Sequence, residues 1–306
     1  MDEPLLIPNE PAALEAPLRE PRKRLRQARD IVIKAFVRNW GRHVMLYTGG
    51  VSFFALLAVF PAFVIVIGLY GMLTTPEQAA SQVSTFADLM PSGAETLIRG
   101  ELDRLVTAPI QALSVQSIFA LVITAYATHR GFKALLAGLQ LIHDEEDADA
   151  HGFIHFNLLA LFVAVAAFVL MIVASTTFLT AQLIVANFGV QIPWLFSEWI
   201  WAGLGLTGGL TLLYRYAMSK IPVAWTTSAI GGAGAALMSL VASWACAIYV
   251  ENIAPLGATY GAVGAVVIFL IWLSWNVNAV FFGGALATEI ECALAEPELD
   301  LGPPVD

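Results

Sequence analysis

Three features of the 306-residue sequence predict an all-α membrane protein with six transmembrane helices, both termini cytoplasmic and short amphipathic helices in the first outer loop. Hydrophobic residues make up 58% and charged residues 13%, against about 45–50% and about 25% in soluble domains. The apolar residues gather into runs near or above the ~20 positions a helix needs to cross hydrocarbon. Each run is continuous rather than alternating, which excludes the dyad pattern of a membrane β-barrel. Too little chain is left between the runs for a large soluble catalytic domain.

The spans follow in order. The first is Val44–Leu73, the second Gln111–Thr128, the third Phe156–Ala186, the fourth Trp199–Tyr216, the fifth Ala224–Val250 and the sixth Tyr260–Thr288. They divide the chain into a basic cytoplasmic arm (1–43), a six-helix transmembrane domain (44–289) and an acidic cytoplasmic tail (290–306). The first apolar run begins too far into the chain, and is too long, for a cleavable signal peptide. Outer loop 74–110 reads as two short helices. Thr75-Pro76 is an N-cap with proline at the first helical position, and Ser92 with Glu95 fits a capping box. The inner segment Arg130–His143 has helical spacing, and either continues the second helix or lies flat on the interface.

Charge sets the orientation. Residues 1–43 carry nine Lys/Arg against six acids, a net +3, and the rest of the chain carries six against eighteen, a net −12. With the N-terminus inside, thirteen Lys/Arg fall on the inner side and only Arg99 and Arg104 on the outer side. That asymmetry places both termini in the cytoplasm. The basic arm has a chemistry that suits nucleic acid or anionic head groups. Beside a first span it reads as a topology signal, so lipids are the expected partners and nucleic acid is not.

Four features bear on mechanism. Pro61, mid-way along the first span, removes a backbone bond and kinks a helix; broken helices at membrane depth often line transport pathways. Gly231, Ala235, Ser239, Ser243 and Ala247 recur at every fourth position, a small-residue row suited to close helix packing within the chain or in a homo-oligomer. Gly257, Gly261 and Ala265, and then Ala279, Gly283 and Ala287, form similar rows. Ser274, Asn276 and Asn278 sit near the middle of the sixth span beside Trp272 and Trp275. Amides in hydrocarbon need partners, supplied by a neighbouring helix or a polar cavity. The ionisable residues Glu198, Arg215, Glu251 and Glu289 stand near span ends, within reach of water.

Enzyme chemistry finds little support. No G-x-S-x-G, Walker loop or H-E-x-x-H occurs. Cys246 and Cys292 suit neither a disulfide framework nor a zinc site, and no cofactor is expected. The run His143–His151 with His155 mixes histidines and acids, but it reads as a solvated inner loop rather than a metal site.

Several segments carry a family resemblance. The stretch GGVSFFALLAVFPAFVIVIG of the first span, Arg130-Gly131-Phe132-Lys133-Ala134-Leu135 after the second, Leu213-Tyr214-Arg215-Tyr216 in the fourth, and Tyr260-Gly261 with Trp272 and Gly283 occur in order. Together they resemble the YihY / virulence factor BrkB family of bacterial inner-membrane proteins, over most of residues 30–291. The resemblance implies a six-helix fold with both termini inside, and no settled activity; the old label "ribonuclease BN" finds no nuclease chemistry here. Two departures stand out. Met218 replaces the family's proline after Leu-Tyr-Arg-Tyr-x. Gly283-Gly284-Ala285 replaces its Gly-Ala-Glu, with Glu289 one helical turn further on as the available carboxylate. The expectation is therefore a transport-type protein for a lipid or small solute, with Pro61, Ser274, Asn276 and Asn278 on its pathway. A non-transporting scaffold or assembly factor is the alternative, and a membrane-bound ribonuclease ranks last.

Overall fold

A computed structural model describes residues 16–41, 44–73, 110–143, 157–166, 198–219, 222–253 and 262–299, with Glu95, Arg99, Gly100, Val169 and Thr177 singly. The described residues are helical apart from short connecting positions, and contain no strand. In chain order the helices are α1 (Ala16–Trp40), α2 (Val44–Leu73), α3 (Ile110–Ile142), α4 (Asn157–Ala166), α5 (Glu198–Ala217), α6 (Trp225–Ile248) and α7 (Ala262–Leu299). A π-helical turn, Tyr249–Ile253, follows α6.

Among the described residues, two stretches, Trp225–Asn252 and Val263–Ala295, are long and apolar enough to cross a membrane. A third candidate joins Arg26–Trp40 to Val44–Val59 through a 70° bend. Helix α3 settles the inner segment: it runs unbroken through Arg130 to Ile142, so the second apolar run continues past its predicted end. Helix α7 likewise continues to Leu299, across the boundary drawn at residue 289. The arm expected over 1–43 holds a 25-residue helix. Of the third span, α4 is described. Of the outer-loop helices, Glu95 and Arg99 are described, paired at i,i+4 by a 2.7 Å bond. Pro61 lies within α2, where only the backbone course is described.

Helix α7 is the axis of the packing. Every residue from Phe281 to Glu289 is buried, and α1, α2, α3 and α6 all pack against it. The largest buried cluster joins Leu139 and Ile142 of α3, Tyr214 of α5, Ala235 of α6 and Phe281, Ala285 and Ala287 of α7.

Two glycines allow the closest approach. A Cβ on Gly283 would stand 2.5 Å from Ala235 Cβ and 2.6 Å from both Gly231 O and Tyr214 Oη. A Cβ on Gly231 would stand 2.7 Å from Gly283 O. The small rows of α6 and α7 thus face each other within one chain, and the bare backbone lets Tyr214 Oη donate to Val280 O at 2.6 Å.

Candidate functional site

The site grows where the C-terminal ends of α1 and α3 meet α7. Helix α3 stops at Ile142, so its last carbonyls lack intrahelical donors. Arg38 of α1 fills that need: its Nη1 donates to Ile142 O at 2.8 Å. A cation at a helix C-terminus also complements the helix dipole. The same guanidinium gives its Nε to Glu289 Oε1 of α7 at 2.5 Å. Both side chains are largely out of solvent, 17% exposed for Arg38 and 9% for Glu289. Glu289 therefore does not reach water as its place near a span end implied. It is buried because α1 folds back over α7.

One residue along α1, Asn39 donates from Nδ2 to Asn278 Oδ1 at 2.8 Å. Asn39 is itself buried, and its own Oδ1 has no partner among the described residues. Phe36, a turn earlier, packs on Phe282 with ring centroids 5.3 Å apart. On the α3 side, Thr288 Oγ1 donates to Gly284 O at 3.0 Å, which commits its hydrogen. It must then accept from His143 Nδ1, 3.1 Å away, and this puts the ring proton on Nδ1. His143 Nε2 is left facing Glu291 Oε2 at 3.9 Å. The result is a buried polar seam of Arg38, Asn39, His143, Asn278, Thr288 and Glu289, drawn from α1, α7 and the end of α3.

The residues singled out in sequence are distributed as follows. Asn278 belongs to the seam. Asn276 points to a different face, donating to Trp272 O at 2.9 Å and more weakly to Ser243 Oγ at 3.4 Å. Ser274 bonds its own helix at Leu270 O. Ser243, from the small row, accepts from Trp272 Nε1 at 3.0 Å, and Ser239 beside it is buried. Pro61 has no described side-chain geometry. His143 joins the seam through Thr288; the other members of its His/acid run, 144–151 and His155, lie outside the described residues. Arg215 closes the turn between α5 and α6, donating to Val223 O at 2.5 Å and stacking 4.3 Å over the Trp225 ring.

Sequence reasoning missed Arg38 and Asn39, which it absorbed into the basic arm. The available clue was their setting: Ile31, Ala35 and Asn39 recur at i, i+4, i+8, the spacing of a packed helix face. The pairing itself spans 251 positions, and no local pattern records it.

Apolar helices of membrane length, knit around a fully buried stretch of α7 and carrying a paired charge inside, define a helical membrane protein. The model of the virulence factor BrkB family matches residues 35–303, and the chain belongs to that family. It is similar to the UPF0761 membrane proteins of Coxiella burnetii strains Dugway and Nine Mile, each 24% identical over 205 residues. Those matches cover 62% of this chain and 68% of each relative. No solved structure matches the chain.

Proposed function

We propose that this protein is a transport-type component of the bacterial inner membrane. It has six spans and both termini in the cytoplasm, and it moves a lipid or small solute without enzymatic chemistry. The observation that carries the reading is the buried Arg38–Glu289 pair inside the polar seam. Ionisable residues buried in a membrane protein are costly, and such a pair is by default a candidate functional site. Apolar side chains of similar volume often fill such a position with equal or greater stability, so stability alone is a poor reason for the pair. The Asn39 Oδ1, without a partner among the described residues, adds a buried acceptor that a passing donor can use.

The scaffold reading draws on a different observation. Asn276 and Asn278 both bond to side chains of neighbouring helices, as structural amides do. A deletion strain separates the two. Untargeted profiling of lipids in each leaflet and of solutes in the medium is expected to show one class redistributed. Wild-type protein restores the distribution; Glu289→Gln protein, present at the same membrane level, does not. A distribution unchanged by deletion, with an altered set of co-purifying membrane proteins, supports the scaffold.

A further inference from the structure

Helix α1 has a face that the bundle leaves uncovered. Ala35 and Asn39 are buried against the core, the Phe36 ring lies at the edge of that contact against Phe282, and Val32, Ile33, Val37 and Trp40 form an exposed apolar arc, with Val37 69% and Trp40 71% exposed. One to two turns toward the N-terminus, the same arc turns basic. Arg29 lies eleven residues before Trp40; Arg26 lies seven before Ile33 and eleven before Val37. Both arginines are exposed, and Arg29 is paired with Asp30 at 3.0 Å.

Helix α2 does not need α1 to cross the bilayer. Its 30 residues rise about 45 Å, well beyond the ~30 Å hydrocarbon core. A helix bent 70° from α2 then runs closer to the membrane plane than to its normal.

We propose that α1 is an interfacial helix of the leaflet that the N-terminus faces. Its apolar arc from Val32 to Trp40 sits among acyl chains, and Arg26 and Arg29 engage anionic phospholipid head groups. Charge complementarity selects this occupant: an apolar arc that turns cationic along its length matches the passage from acyl chain to phosphate. The proposal is independent of transport.

The test uses the full chain with Cys246→Ala and Cys292→Ser, reconstituted in phosphatidylcholine nanodiscs with and without phosphatidylglycerol. Nitroxides on Ile33→Cys and Val37→Cys are expected to be open to oxygen and shielded from a water-soluble nickel complex, and one on Lys34→Cys the reverse. Spin-labelled phosphatidylglycerol should associate with the wild-type arm at least about twofold more than phosphatidylcholine. Arg26→Gln with Arg29→Gln should bring that preference toward parity, with nitroxide depths unchanged as the check on folding. Water-exposed nitroxides at 33 and 37 overturn the proposal. So does strong dipolar coupling between labels at 37, the mark of a second copy on this face, and so does a lipid preference the double variant leaves intact.

Discussion

At the residue scale, Arg38 and Glu289 depend on each other. Removing one partner leaves an uncompensated charge out of water, whereas removing both removes the burden. Glu289→Ala is expected to destabilise by about 3–5 kcal/mol. Arg38→Met with Glu289→Leu should recover most of that loss, and a double-mutant cycle of unfolding in detergent measures the difference. Asn278→Leu strands Asn39 Nδ2 without its acceptor, at a cost of about 1–3 kcal/mol in the same assay. The sequence shows why Asn278 invites attention, since an amide inside an apolar run must find a partner. It cannot show which partner. Asn39 and Arg38 sit among arginines and lysines that read as a solvated arm, and only the fold-back of α1 takes them out of water.

At the element scale, the contact between α6 and α7 rests on absent side chains. Gly283 stands where a methyl group would meet Ala235 Cβ, Gly231 O and Tyr214 Oη at 2.5–2.6 Å. Two of these three belong to groups that cannot swing aside. Gly283→Ala is therefore expected to cost about 1–3 kcal/mol through overpacking and to loosen the bond from Tyr214 to Val280. Gly208 on α5 is the control, because a Cβ there meets nothing within 4 Å. Gly208→Ala should be neutral or stabilising by up to about 1 kcal/mol through helix propensity. Thermal unfolding of the two variants side by side checks both signs. The every-fourth-residue row from Gly231 was legible as a packing surface, because small residues let backbones approach. Its partner was not, since a row of that kind suits a helix of the same chain and one of another copy equally well. Helix α1 escaped for another reason: its charges dilute the apolar arc below what a run-based search for spans detects.

At the scale of the whole molecule, orientation and function remain joined to the seam. The two native cysteines report on orientation. Cys292 is exposed and Cys246 is buried, so a membrane-impermeant maleimide should label Cys292 in inverted vesicles and not in intact spheroplasts. Labelling from outside would reverse the proposed topology. Composition made the membrane class legible, because so little charge cannot coat a soluble globule. The seam was not legible, since it is assembled from residues far apart in the chain: Arg38 and Asn39, His143, and Asn278 to Glu289. Its purpose is the central claim, and one variant isolates it. Arg38→Met with Glu289→Leu removes the buried charge while keeping volume and fold. Introduced into the deletion strain at wild-type abundance, with wild-type thermal stability, it is predicted to leave the lipid or solute distribution as disturbed as in the deletion. Full restoration of that distribution by the same folded variant would contradict a transport role for the seam and make the pair a structural fastening.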